Sequence, residues 1–124
     1  MDKIKILICD DEYATRLVTK AYLEEFNIEV LEAASGEEAE SIIEREMPDL
    51  LIIDYSMPDK TGLEVIRELE TVPPVIVVLT AEGFSSDIEA ELKKNAAGYL
   101  VKPLTQEVLI KTVEKALGRS LDGR

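Results

Sequence analysis

A chain of 124 residues, 46% hydrophobic and 32% charged, fits one globular domain large enough to close its own core. Its 26 acidic residues against 14 basic ones give a net charge of −12, which argues against direct DNA or RNA binding, because that affinity rests on basic side chains meeting phosphates. The single cysteine, Cys9, excludes an internal disulfide, and no apolar run has the length of a membrane span or the layout of a secretory signal, so the expected setting is reducing and cytoplasmic.

Five β-branched or leucine-rich runs predict strands at residues 4–9, 29–33, 50–53, 75–80 and 98–101, separated by segments with helical spacing. In the first helix, Ala14, Leu17, Val18 and Ala21 mark one apolar face. Ser35 with Glu38 forms a capping box ahead of Ala39, Ile42 and Ile43 in the second. Leu63, Ile66 and Leu69 predict a third helix, which Val72-Pro73-Pro74 must end. Ser86 with Glu89 offers another capping box, followed by Ile88 and Leu92, with Asn95 as a left-handed stop. Thr105 caps a last helix carrying Leu109, Val113, Ala116 and Leu117, and Gly118 closes it. Residues 4–117 form the expected core of a single domain spanning 1–124, with 118–124 as a loose tail. This βα alternation predicts a doubly wound α/β fold, a five-stranded parallel sheet with helices on both faces, and such sheets hold ligands beyond the carboxyl ends of their strands.

At those ends the sequence places Asp10-Asp11, Asp54, Thr80 and Lys102. Three carboxylates close together resist burial unless positive charge compensates them. A chain without histidine leaves oxygen ligands, which select a hard divalent cation, and Mg²⁺ binds through one or two carboxylates while keeping several waters. Three carboxylates, one Mg²⁺ and Lys102 come close to neutrality and leave room for a phosphoryl oxygen. Asp54 could then attack phosphorus, with Mg²⁺ and Lys102 offsetting charge on the equatorial oxygens. Taken singly, each residue reads more readily as a cap, a turn residue or a solvated lysine; the conjunction at four strand ends carries the argument.

The chain resembles the receiver domains of two-component response regulators over residues 4–117. The resemblance rests on Asp10-Asp11 after the first strand, Asp54-Tyr-Ser-Met-Pro58, Gly62, Thr80-Ala81, and Gly98-Tyr-Leu-Val-Lys-Pro103. It implies a flavodoxin-like strand order 2-1-3-4-5. It further implies that Asp54 accepts a phosphoryl group from a histidine kinase or phosphotransfer protein, and that Asp11, Asp54 and the Ser56 backbone carbonyl ligate Mg²⁺, with Asp10 acting through a water. By the same resemblance Thr80 and Lys102 meet phosphoryl oxygens, Thr80 and Tyr99 form the switch, Ser56 and Glu82 tune the phosphoryl lifetime, and the Lys102–Pro103 bond is cis. The chain is then a signalling phosphoacceptor rather than an enzyme, reacting with small phosphodonors and hydrolysing its own phosphate only. Its partner face is formed by the fourth helix, fifth strand and fifth helix and meets a downstream protein as a monomer or a phosphorylation-dependent dimer. Thr61, where an acid often precedes the glycine, and Asn95, where a glycine often ends the fourth helix, depart from the pattern.

Three other readings compete. One is the receiver part of a longer regulator with an output domain. Another is a small Mg²⁺-dependent phosphohydrolase of the haloacid dehalogenase type, but that chemistry needs a second Asp where Ser56 stands. A nucleotide or flavin module would need a glycine-rich phosphate loop, and neither GxGxxG nor GxxxxGK[ST] is present. Cys9 reads as a small core residue whose acidic neighbours disfavour a thiolate.

Overall fold

The computed structural model describes residues 3–69, 74–81 and 86–121, excluding the side chains of Ile88 and Leu92. Along these residues run β1 (Ile4–Cys9), α1 (Tyr13–Glu24), β2 (Ile28–Ala33), α2 (Gly36–Glu46), β3 (Leu50–Asp54), α3 (Gly62–Glu68), β4 (Val75–Thr80), α4 (Ser86–Asn95), β5 (Gly98–Val101) and α5 (Gln106–Leu117). The strands form one parallel sheet in the order β2-β1-β3-β4-β5.

Side chains alternate across a strand, and here both faces are covered, which explains why the strands read as continuous apolar runs. Leu7, Cys9, Leu51, Ile53, Ile76 and Val78 pack with Ala39, Ile42 and Ile43 of α2 and Leu63 and Val65 of α3. Ile6, Ile8, Leu50, Ile52, Val77, Leu79 and Leu100 pack on the other face with Leu23 of α1 and Leu109, Ile110 and Val113 of α5. Leu51, Ile52 and Ile53 are fully buried. Each such side chain contributes about 1.5–3 kcal/mol, so the strand that carries Asp54 has little freedom to shift.

Capping follows the sequence at two helices, α2 and α5, although Glu38 accepts from Ala34 N and not from Ser35 N, which leaves the expected box half built. Ser35 accepts from Glu38 N, Thr105 accepts from Val108 N, and Gly118 closes α5 at φ 70°. Thr61 takes over the place of the missing acid by building a full capping box with Glu64.

The structure corrects several expectations. The face of α1 expected to be buried is exposed: Leu17 is 53% and Val18 44% accessible, with Ala14 and Ala21 beside them. The helix instead buries Thr19 and Leu23. Thr19 enters the core without penalty because its hydroxyl donates to Thr15 O at 2.7 Å, within its own helix. Asn95 is no left-handed stop; it ends α4 and donates from its side chain to Glu91 O. Among the described residues the left-handed non-glycine position is Met47, at φ 45° after α2. Ser86 is the first residue of α4 rather than its cap, and the position before it lies outside the described residues. β2 begins one residue early, at Ile28, and β3 runs on to include Asp54. α3 ends at Glu68, ahead of the prolines, of which Pro73 lies outside the described residues. The tail is tied down as far as Leu121, which packs on the α5 side of the core and donates its N–H to Glu114 at 2.8 Å.

Candidate functional site

Parallel register brings the acids together. Cys9 pairs with Ile53, so Asp10, one residue on, lies level with Asp54 at the end of β3. The two-residue spacing that puts Ile6 and Ile8, Leu50 and Ile52, and Leu100 on the α1 and α5 face continues to Asp10, Asp54 and Lys102. Thr80, at the end of β4, falls on the opposite parity, and its carbonyl accepts from Lys102 N at 2.7 Å.

Lys102 is the centre of the cluster. Its Nζ lies 2.5 Å from Glu12 Oε1, 2.9 Å from Asp10 Oδ2 and 3.3 Å from Asp54 Oδ2. The Asp10 contact is an ion pair without hydrogen-bond alignment, which leaves Oδ2, a fully buried atom, with no aligned donor. Asp10 Oδ1 accepts from Glu12 N, and Ser56 N donates to Asp54 Oδ1 at 3.2 Å. Burial, and then the charge of Asp10, push the Asp54 carboxyl above its ordinary range, while Ser56 N–H and Lys102 oppose the shift. Burial alone would favour neutral Lys102, but Glu12, Asp10 and Asp54 outweigh it and hold the ammonium above its ordinary range. The hydrogen bond from Lys102 in turn holds exposed Glu12 below the usual carboxylate range.

Comparison with known proteins gives the family of the chain. The family described as response regulator receiver domain matches residues 6–114. The chain belongs to that family. It is 38% identical over 120 residues to a probable transcriptional regulator, ycf27, of Porphyridium aerugineum, an alignment covering 96% of this chain and 50% of the relative. It is 34% identical to the phosphate regulon transcriptional regulatory protein PhoB of Rhizobium meliloti, covering 94% and 53% respectively. The chain therefore spans about half the length of these curated relatives. The structure superposes on the chemotaxis protein CheY4 of Vibrio cholerae with a TM-score of 0.86 at 32% identity, covering 94% of this chain and all of that one.

The oxygen-only donor set of this receiver domain fits a hard divalent cation. Carboxylate oxygens of Asp10, Glu12 and Asp54 lie within 4.8 Å of one another, and buried Asp10 Oδ2 lacks an aligned donor. Receiver domains bind Mg²⁺ at such an acidic pocket. Asp11 is exposed and is not one of the three.

Both flanking loops are held from outside the cluster. Arg16, one turn into α1, donates to Asp10 O at 2.7 Å and to Glu32 of β2 at 3.2 Å, which fixes the acidic turn against the sheet. After β3, Ser56 pairs with Thr61 and Gly62 N donates to Tyr55 O, closing a short loop. Asp59 on that loop accepts from Gly36 N and Glu37 N at the start of α2, while Lys60 joins Glu40 of α2 to Glu68 of α3. A Cβ on Gly62 would stand 2.8 Å from Asp54 O, so a side chain here requires the backbone at the end of β3 to shift.

Ser56 is exposed and its N–H faces Asp54. Tyr99 is 42% exposed, with its hydroxyl 3.4 Å from Glu89 of α4. The Lys102–Pro103 bond is cis. Glu82 lies outside the described residues. Cys9 is a buried core residue, its thiol pushed up by burial and by Asp10. Sequence reasoning assigned no role to Glu12, Arg16, Asp59 or Lys60. Glu12 was visible as the third acid of a run and Arg16 as its neighbour one helical turn on; Asp59 and Lys60 carry no local signal, because their partners are on other elements.

Proposed function

We propose that this receiver domain takes a phosphoryl group onto Asp54 from the phosphohistidine of a histidine kinase or phosphotransfer protein. The observation that supports this most directly is a buried carboxylate at a strand end, held above its ordinary range, 3.3 Å from a lysine ammonium. An Asp54 oxygen forms the new P–O bond as the P–N bond to the donor imidazole breaks. The imidazole nitrogen keeps that electron pair and is then protonated. Asp10, Asp11, Asp54 and the Ser56 carbonyl would hold Mg²⁺, which when bound supplies positive charge to the transferring phosphoryl oxygens. Lys102 offsets charge on a further oxygen, and the Thr80 hydroxyl donates to the product. Small phosphodonors such as acetyl phosphate replace the kinase, and water later hydrolyses the acyl phosphate.

The intact mass of protein incubated with acetyl phosphate and Mg²⁺ tests this reading. One base-labile phosphoryl adduct is expected, absent in Asp54→Ala and without Mg²⁺. An adduct that persists in Asp54→Ala would place the chemistry elsewhere. The half-length match to curated transcriptional regulators favours a second statement, that this receiver domain governs an output domain in a longer protein in a cytoplasmic setting.

A further inference from the structure

We propose that Glu12 is a charge latch on Lys102, a positioning residue that restrains the ammonium until a phosphoryl group arrives. The inference rests on Asp54 being the phosphoacceptor. Of the three carboxylates around Lys102 Nζ, the nearest, at 2.5 Å, is the one that is exposed. Glu12 occupies the N-cap position of α1 with extended backbone, yet its side chain makes no cap hydrogen bond; its Oε1 turns to Lys102 and accepts only a long hydrogen bond, 3.5 Å, from the Thr15 hydroxyl. Asp10 and Asp54 are locked in the strand ends by burial, whereas Glu12 borders an open groove of about 420 Å³, lined also by Ala14, Thr15, Val18 and Pro103, into which its carboxylate can swing.

Charge makes this pair a latch. In the unmodified protein Lys102 is shared among three single charges, and the pair with Glu12 faces water, where ion pairs hold weakly. A phosphoryl group on Asp54 adds a dianion beside the same ammonium. Lys102 then moves toward the new oxygens, and Glu12 is released into the groove. Every phosphorylation event must break this contact, so Glu12 sets part of its barrier.

A double-mutant cycle tests the latch. Phosphorylation rates from acetyl phosphate at saturating Mg²⁺ are measured by intact mass for wild type, Glu12→Gln, Lys102→Ala and the double mutant. Glu12→Gln is expected to react about two- to fivefold faster than wild type, the factor that an exposed ion pair commands. In the Lys102→Ala background the same substitution should change nothing. Equal acceleration in both backgrounds would show that Glu12 acts only by repelling the anionic donor, and would overturn the latch. A slower Glu12→Gln with a raised Mg²⁺ requirement would make Glu12 a metal ligand and also overturn it. An adduct that forms in wild type without acceleration in Glu12→Gln removes the latch alone, whereas no adduct on Asp54 in wild type removes the phosphoacceptor reading with it.

Discussion

Burial and the charge of Asp10 raise the cost of ionising Asp54, and a divalent cation bound there would offset that cost. Mg²⁺ at ten times its Kd should stabilise the native state by about 1.4 kcal/mol, since it binds only the folded site. This corresponds to a rise in Tm of roughly 5 °C for a domain of this size. Asp10→Asn keeps the acceptor for Glu12 N and removes the charge beside Asp54, so the Mg²⁺-dependent rise should fall below half while Tm without Mg²⁺ does not drop. Asp11→Asn should lose the rise as well, although Asp11 is exposed; thermal melts across a Mg²⁺ titration check both. Asp59 makes a different prediction. Burial works against its charge, but the N–H groups of Gly36 and Glu37 outweigh it and hold the carboxyl below its ordinary 3.8. A lowered folded value means stability present above pH 3.8 and lost as pH falls through the folded value. Asp59→Asn leaves one of the two N–H groups of Gly36 and Glu37 without its acceptor, so it should melt lower than wild type at pH 7, and the gap should close on acidification.

At the scale of elements, the turn from β3 into α3 is where packing and chemistry meet. Gly62→Ala would force a Cβ against the Asp54 carbonyl at 2.8 Å and the Tyr55 Cα at 3.2 Å, both backbone atoms that cannot rotate away. The expected cost is about 1–3 kcal/mol, with slower phosphoryl uptake because the end of β3 must shift; melting and intact mass read the two effects. The strands were legible almost residue by residue, because runs such as Leu50–Ile53 are apolar on both faces and permit no other assignment. The burial of α1 was not. Leu17 and Val18 outrank Thr19 in hydropathy, and nothing local reveals that Thr19 satisfies its hydroxyl within the helix. The αL position after α2 was missed for a related reason: Met47 has no intrinsic preference for φ 45°, and the conformation is imposed by the short connection that must lead from α2 back into β3. In the site, Asp10, Asp54 and Lys102 were legible as strand-end residues, while the ties made by Asp59 and Lys60 exist only after α2, α3 and the loop have docked.

Across the whole molecule, the acidic cluster lies at the ends of neighbouring β1 and β3 with Lys102 reaching it from the end of β5, so a change there can reach a distant face. A phosphoryl group on Asp54 should draw the Thr80 hydroxyl toward it, let Tyr99 turn inward and alter the surface of α4, β5 and α5 for a downstream protein. Two packings separated by a few kilocalories suffice for such a shift. Amide spectra with and without beryllofluoride are expected to change broadly around residues 81–104 in wild type and much less in Thr80→Ala; changes confined to the surroundings of Asp54 would remove this switch. The strand order has a further consequence, for the nascent chain. β1 emerges first and becomes the sheet's interior; β2 then adds to one side of it, β3 to the other, β4 to β3 and β5 to β4. No strand ever has to insert between two already paired, so assembly can proceed in the direction of synthesis. Lys102 comes directly after the last strand. In that order of pairing Asp10, Glu12 and Asp54 come together before Lys102, the cation that among the described residues pairs with all three, has joined the sheet.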